Sequence, residues 1–258
     1  MHNGSVLGLT RFSVNDIILL SEVINLNISD YKYKTELHAH TSPASKCADF
    51  CAEDAVRIYA ELGYTSIVIS NHLSPFMPFY GDKEKAMAHY ISDMNAAKKA
   101  GKEHGINVIT GCEIRFCGSN NDYLLFGIDD DALYDAYDFI SKDLEAFSQW
   151  YRSDERLIIQ AHPFRDGITE VSPTLIDGIE SFNMHPGHNS RISLAARHAK
   201  LHDFIVTSGT DFHHPGHQGL CATLTKKPIT NSDELVSVLK SRDYIFSVSG
   251  HIILPYGG

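Results

Sequence analysis

The stretch KTELHAHT, residues 34–41, predicts a β-strand that leads directly into a pair of histidines. The strand candidate is Lys34 to His38, and His40 follows after a single residue. Residues separated by one position point to the same side of an extended chain. Two imidazoles on one side can coordinate a zinc, manganese or iron ion. A lone H-x-H pattern is nevertheless a weak signal, because histidines occur in protein cores and on surfaces alike.

Outward from this stretch, short apolar or β-branched runs alternate with longer helical patterns along most of the chain. The alternation is typical of repeated βα units, and several runs are continuously apolar, as in strands buried on both faces. A chain of 258 residues suits a single α/β barrel. The other predicted strands are Ser66–Ser70, Asn107–Thr110, Tyr123–Ile128, Leu157–Gln160, Gly178–Phe182, Phe204–Thr207 and Tyr244–Val248. The predicted helices are Ala55–Leu62, Lys83–His104, Asp131–Trp150, Ser190–Leu201 and Ser232–Lys240.

Composition and charge exclude several classes of protein. With 43% hydrophobic and 21% charged residues, the chain is an ordinary globular protein rather than a disordered, collagenous or membrane chain. Its formal net charge of −10 argues against sequence-independent binding to nucleic acid or to anionic membranes. We therefore expect neither long nucleic acid nor a membrane as a partner.

The cysteines and the N-terminal stretch predict a cytoplasmic location. Five cysteines at irregular spacing do not make a secreted disulfide framework, so we expect reduced thiols. Residues 1–15 have no apolar core behind a basic start, and polar residues interrupt the run Ile17–Leu26. This pattern predicts neither a signal peptide nor a membrane span. We interpret residues 1–33 as an N-terminal extension that packs on the barrel, and residues 34–258 as one domain.

Nearly every predicted strand ends in, or is soon followed by, ionisable or amide residues. In a barrel of parallel strands all carboxyl ends lie on one face, so residues distant in sequence converge there. Burying so many polar groups without a metal would cost a few kcal/mol for each one. We therefore interpret this face as an active site. Besides HAHT, the segments are SNH (residues 70–72), GCEI (111–114), AHPF (161–164), IESFN (179–183) and GTDFH (209–213).

The ordered series HAHT, SNH, GCEI, AHPF and GTDFH resembles the polymerase and histidinol phosphatase (PHP) superfamily. Its usual elements are H-x-H-T, T-D-H, G-x-E, a His-Pro motif and G-S-D-x-H, in that order. Each motif alone is weak, but five in order are specific. The resemblance implies a distorted (βα)7 TIM-like barrel with two or three divalent transition metal ions (zinc, manganese or iron) at its mouth, and phosphoester hydrolysis as the activity.

The resemblance also implies roles for individual residues. One metal would be bound by His38, His40, Glu113 and Asp211, and Glu113 would bridge to a second metal bound by His162. A third metal would be held by His72 and His213. In catalysis a hydroxide shared by two metals would attack phosphorus, with Glu113 fixing the bridge and Asp211 orienting the nucleophile or accepting its proton.

Three departures from the family pattern bear on the metal sites. Asn71 stands where the family has Asp and cannot supply its negative charge. Lys46 stands where relatives complete the third site and would repel a cation, unless Cys47 turns inward as a thiolate. Many relatives place a His in the strand after G-x-E, where Asp122 is the substitute available here as a metal ligand, with a turn-forming role as the alternative.

Three arginines and a histidine are candidates for substrate binding. Arg115, Arg165 and Arg191 follow strand-end motifs, and guanidinium groups suit bidentate recognition of phosphate. His188, in a loop, is a candidate donor to the leaving group. The leading hypothesis is a hydrolase acting on a small, histidinol-phosphate-like monoester. The alternatives are a phosphodiesterase or exonuclease acting on nucleotides or short oligonucleotides, and a non-catalytic metal-binding module. The sequence leaves the oligomeric state open.

Overall fold

A computed structural model describes residues 27–256 of the chain. Most of the predicted N-terminal extension, residues 1–33, lies outside the described residues. The first strand begins at Tyr33. Within residues 27–256 we find no helix that combines the length and the apolar character needed to cross a membrane.

Strands and helices alternate as predicted, and the α/β class is confirmed. The strands are β1 (Tyr33–Ala39), β2 (Ser66–Ile69), β3 (His72–Leu73), β4 (Asn107–Thr110), β5 (Cys112–Arg115), β6 (Asp122–Phe126), β7 (Leu157–Gln160), β8 (Gly178–Asn183), β9 (Ile205–Gly209), β10 (Cys221–Thr225), β11 (Ile245–Val248) and β12 (His251–Ile253). The α-helices are α1 (Ala52–Glu61), α2 (Lys83–His104), α3 (Asp130–Ala136), α4 (Leu144–Tyr151), α5 (Ile192–His202) and α6 (Ser232–Ser241).

The described strands form two six-stranded sheets. The first has the order β12-β11-β10-β1-β2-β4 and the second the order β3-β5-β6-β7-β8-β9. The pairs β1–β2, β2–β4, β3–β5, β7–β8 and β8–β9 are parallel, whereas β10 pairs with β1 and β6 with both β5 and β7 in antiparallel fashion.

At two places the chain passes directly from a strand of the first sheet into a strand of the second sheet. Ser70 and Asn71 separate β2 from β3, and Gly111 separates β4 from β5, so both segments pass from the first sheet into the second. On the opposite side, Ala39 at the end of β1 forms a parallel bridge with Phe212, which follows β9. The closed (βα)7 barrel is not confirmed among the described residues, because pairing is interrupted at these junctions.

The core is built by strands that are buried on both faces. Strands β2, β6, β7, β9 and β10 are buried along their whole length. Helix α2 buries the predicted stripe that contains Met87, Tyr90 and Met94. It ends at Gly105, whose φ of 71° is the left-handed conformation that glycine adopts without a steric cost.

Two sequence predictions of secondary structure need correction. The single helix predicted for Asp131–Trp150 is wrong: α3 ends at Ala136, and α4 begins after Asp143. The Asp143 side chain accepts a hydrogen bond from the backbone N–H of Ala146 and starts a new helix there. Strands β3, β5, β10 and β12 were not among the predicted strands.

Candidate metal centre

Strand ends of both sheets bring the predicted metal ligands together. His38 lies in β1 and His40 directly follows it, while His72 opens β3 and Glu113 lies in β5. Strand β7 is followed by His162, and β9 by Asp211 and His213. All of these side chains except the partly exposed His72 are buried. Together with the buried Asp122, they form three groups whose nitrogen and oxygen atoms lie close enough together to hold a cation: His38, His40 and Asp211; Glu113, Asp122 and His162; His40, His72 and His213.

The first group joins the ends of β1 and β9. The Nε2 atoms of His38 and His40 lie 3.0 Å apart. The Oδ1 atom of Asp211 lies 3.4 Å from each of them. The predicted H-x-H geometry is therefore present, with both imidazoles on the same side of the strand.

Glu113 connects the first group to the other two. Its Oε1 lies 3.4 Å from His38 Nε2 and 3.2 Å from His162 Nε2. Its Oε2 lies 3.5 Å from His40 Nε2 and 2.7 Å from His72 Nδ1. One carboxylate thus faces four imidazoles, which is the arrangement that a bridging role requires.

The third group is a stack of imidazoles. The His40 ring centroid lies 4.2 Å from that of His72 and 4.3 Å from that of His213. The backbone carbonyl of Asp211 lies 2.8 Å from His213 Nδ1 and orients the ring. His72 and His213 are therefore neighbours, as the third site implied by the resemblance requires.

The electrostatics of the centre keep the carboxylates ionised. Burial alone would raise the pKa of Glu113, but the nearby His38 and His72 and a hydrogen bond from His162 hold its pKa well below the usual range. For Asp211, burial is likewise outweighed by His38, His188 and His40, so its pKa is also well below the usual range. Burial, His72 and His213 hold the pKa of His40 well below the ordinary value, which keeps a lone pair available.

Two of the candidate ligands have a strained backbone. The φ angles of His162 and Asp211 are 31° and 53°, in the left-handed region that residues other than glycine seldom adopt. Hydrogen bonds hold both segments in place: Glu180 Oε2 accepts from the His162 N–H, and the His38 carbonyl accepts from the Phe212 N–H. Backbone strain of this kind clusters at functional sites.

Two buried carboxylates that were not among the predicted site residues support this centre. Glu180 Oε1 accepts a hydrogen bond from His38 Nδ1 at 2.9 Å, which leaves the Nε2 lone pair of His38 facing the centre. Glu36 accepts hydrogen bonds from the backbone N–H groups of His38 and Thr210. The sequence signal for both was a carboxylate inside a predicted strand, where an unpaired charge would be costly.

Asn71 supports a loop in place of the Asp of the family pattern. Its Oδ1 accepts hydrogen bonds from the Thr41 N–H at 2.7 Å and from the Ser45 hydroxyl at 2.9 Å. Its Nδ2 donates to Asp93 Oδ2 at 2.8 Å. A carboxylate is therefore still present in this network, but helix α2 supplies it.

The arginines divide into two sets. Arg115 pairs with Asp122, and Arg165 Nη2 lies 3.3 Å from the same carboxylate. Asp122 Oδ2 is 3.7 Å from His162 Nε2, so both arginines lie beside the centre. The structure does not bring Arg191 to the centre, because its guanidinium donates to the Phe164 carbonyl and to exposed Asp166.

His188 does lie beside the centre. Its Nδ1 is 3.4 Å from Asp211 Oδ2, and its ring stacks on His185 at a centroid distance of 3.8 Å. The sequence prediction placed this residue near substrate without fixing its contact.

The donor set fits divalent transition metals. Imidazole nitrogen and carboxylate oxygen are ligands for zinc, manganese and iron. Two imidazole nitrogens that face each other at 3.0 Å can share one proton at most, whereas a cation accepts both lone pairs. Glu113 Oε2 is buried and makes no well-aligned hydrogen bond within the described part of the chain. The Nε2 atoms of His38 and His40 and the Oε2 atom of Glu113 are therefore available as metal ligands.

Comparison with known proteins supports the fold. No family model and no curated protein match the chain. A two-domain protein of Bacteroides vulgatus, described as containing a predicted PHP-like metal-dependent phosphoesterase, matches with a TM-score of 0.56 and 14% identity over 83% of this chain and 64% of that protein. PsfC of Pseudomonas syringae matches with a TM-score of 0.56 and 13% identity over 80% of this chain and 88% of PsfC. The resemblance to PHP proteins is therefore confirmed at the level of the fold.

Proposed function

We propose that this chain is a metal-dependent phosphoesterase of the PHP type that hydrolyses a small phosphate monoester of the histidinol phosphate kind. The observation that carries the proposal is the position of Glu113, whose two oxygens lie within 3.5 Å of four imidazoles. The proposed ligands are those of the motif series, with Asp122 beside His162, around two or three ions. The proposal includes the architecture: the strands around the centre would belong to a distorted (βα)7 barrel.

Bound metal ions would lower the pKa of a water molecule and neutralise charge on the phosphoryl oxygens. The chain itself contributes orientation and proton transfer. Asp211 is ionised and buried, so it can accept a hydrogen bond from the attacking water and orient it. Its low pKa favours this orienting role over acceptance of the proton. His188, whose Nδ1 lies 3.4 Å from Asp211 Oδ2, is the proposed donor to the leaving group.

The cationic side chains beside the centre supply the phosphate contacts. Arg115 and Arg165 share Asp122, so their remaining N–H groups are candidates for binding the phosphoryl oxygens. We do not extend this role to Arg191, whose guanidinium is bound to another loop. A cavity of about 200 Å³ borders His72 and Arg115, with Lys46 also lining it. Its volume favours a small substrate.

The first test is metal content together with activity. Purified protein reconstituted with manganese or zinc should contain at least two metal equivalents per chain and should release phosphate from a generic aryl phosphate. Less than one equivalent would contradict a centre in which one carboxylate serves two ions.

A substrate panel separates the proposed monoesterase from the alternatives. Aryl and amino-alcohol monoesters, mononucleotides and short oligonucleotides should be compared by released phosphate. Faster cleavage of a diester would favour the phosphodiesterase hypothesis. Full metal content without turnover on any ester would favour a non-catalytic metal-binding module.

The proposed location is the cytoplasm, with a small phosphorylated molecule as the partner. All five cysteines are free, and three of them are exposed, which is typical of a reducing compartment.

A further inference from the structure

The loop that contains Cys47 is tied to both of the elements that carry the third group of histidines. On one side, the Ser45 hydroxyl accepts a hydrogen bond from the His72 N–H at 3.0 Å. On the other side, the Asp49 N–H donates to the His213 carbonyl at 2.9 Å. Cys47 lies midway between these two anchors. Its position relative to His72 and His213 is therefore set by the backbone on both sides.

The Cys47 thiol contacts the side chains of both histidines. It also lines the same cavity as His72. The Lys46 side chain, whose charge would oppose a cation, is exposed.

The third group is incomplete without this thiol. His40 belongs to it by position, but its Nε2 lies 3.0 Å from His38 Nε2 and 3.4 Å from Asp211 Oδ1, which commits that nitrogen to the first group. Two imidazoles, His72 and His213, then remain as donors. Metal sites that act in catalysis usually have three protein ligands and an open position.

We propose that Cys47, as a thiolate, is the third protein ligand of a metal ion bound by His72 and His213. This inference rests on the proposed function, since it concerns one ion of the same centre. A Cys-His-His donor set is softer than the histidine and carboxylate sets of the other two groups and selects zinc over manganese. The three groups would therefore differ in the metals that they prefer.

The test uses cobalt(II) as a spectroscopic substitute for zinc in the full-length protein. The exposed Cys51 and Cys117 are first replaced in the double variant Cys51→Ser/Cys117→Ser, which leaves Cys47 as the one exposed thiol among the five cysteines. Cobalt is then titrated into this protein and into the same protein with Cys47→Ser added. Because Cys47 is exposed and is not part of the hydrophobic core, the added substitution should leave the fold unchanged, which circular dichroism checks.

We expect a sulfur-to-cobalt charge-transfer band in the double variant and its loss in the triple variant. Binding of the last metal equivalent should weaken by at least roughly 10- to 100-fold, the loss that even outer-sphere partners of a metal produce. Zinc should also slow the labelling of Cys47 by a thiol reagent. A titration without the band, or a labelling rate that zinc leaves unchanged, would overturn the assignment.

The outcome is separable from that of the proposed function. Absence of the band from the double variant, with phosphatase activity intact, would reject Cys47 as a ligand and retain the phosphoesterase. A clear band in a protein that hydrolyses no ester would retain the ligand and reject the phosphoesterase.

Discussion

Glu113 lies where the three groups of candidate ligands meet, and its carboxylate is held ionised by the imidazoles around it. Replacing it with alanine removes the charge that balances these rings and the two oxygens that face them. We expect Glu113→Ala to lose phosphatase activity and most of its bound metal together, while the fold remains. Metal analysis, phosphate release and circular dichroism measure these effects. Full activity in this variant would refute the bridging role.

A matched control for that substitution is Glu103→Ala. Glu103 is an exposed carboxylate near the end of α2 whose Oε1 lies 3.8 Å from Lys99 Nζ, and it belongs to none of the groups that could hold a cation. Its removal should change neither metal content nor activity. A loss of similar size in both variants would mean that the effect is not specific to the centre.

Glu36 is a second buried carboxylate, and it predicts a dependence of stability on pH. Burial raises its pKa from 4.5 to about 7, although hydrogen bonds from Thr210, His38 and Tyr59 oppose the shift. Between these two pH values the folded state binds more protons than the unfolded state, so stability falls as pH rises through the window. The contribution is on the order of 3 kcal/mol and should be present below pH 4.5 and absent above pH 7.

The variant Glu36→Gln tests this effect because glutamine does not titrate. Its free energy of unfolding in urea should lose the decline between pH 4.5 and 7 that the parent protein shows at the same metal content. An identical pH profile in parent and variant would assign the decline to other groups.

At the scale of elements, α4 depends on Asp143, the residue that caps its start. Asp143 accepts a hydrogen bond from the Ala146 N–H at 2.9 Å, and the helix that follows buries Phe147 and Tyr151. Asp143→Ala should lower the free energy of unfolding by about 1 kcal/mol, whereas Asp143→Asn, which keeps an acceptor, should change it little. Urea denaturation measures both. Equal losses in the two variants would show that the cap does not stabilise the helix.

The helices show what could be predicted from the sequence and what could not. Helix α2 carries a regular apolar stripe and a glycine at its end, so its bounds of Lys83 and His104 agree with the prediction. Helices α3 and α4 share a continuous helical pattern. The break between them depends on one side-chain cap at Asp143, which the pattern of apolar residues does not reveal.

At the centre, motif order predicted which side chains converge but not what each one contacts. The H-x-H pair and Glu113 follow from strand ends that share a face. The pairing of Arg115 with Asp122 and of Arg191 with Asp166 depends on loop conformation, which sequence spacing does not determine. The proximity of Cys47 to the third group likewise depends on two hydrogen bonds of its loop.

At the scale of the whole molecule, the ligand groups connect the two sheets. His38 and His40 lie at the end of β1 in the first sheet, while Glu113, His162 and Asp211 belong to strands of the second sheet or follow them. Close packing adds to this connection: a side-chain Cβ at Gly209 would lie 2.3 Å from Glu180 Oε1 and 2.4 Å from His38 Cβ. The centre therefore forms where the sheets meet, and a bound ion would hold them together.

Metal binding should consequently stabilise the folded chain as a unit. A ligand that binds only the folded state at one hundred times its Kd adds about 2.7 kcal/mol, which corresponds to roughly 5 to 10 °C in Tm for a domain of this size. We expect zinc or manganese to raise the Tm of the chelated protein by this amount. The rise should be largely absent in Glu113→Ala and intact in Glu103→Ala, as thermal denaturation followed by circular dichroism would measure. An equal rise in all three proteins would place the stabilising ion away from the strand ends where the two sheets meet.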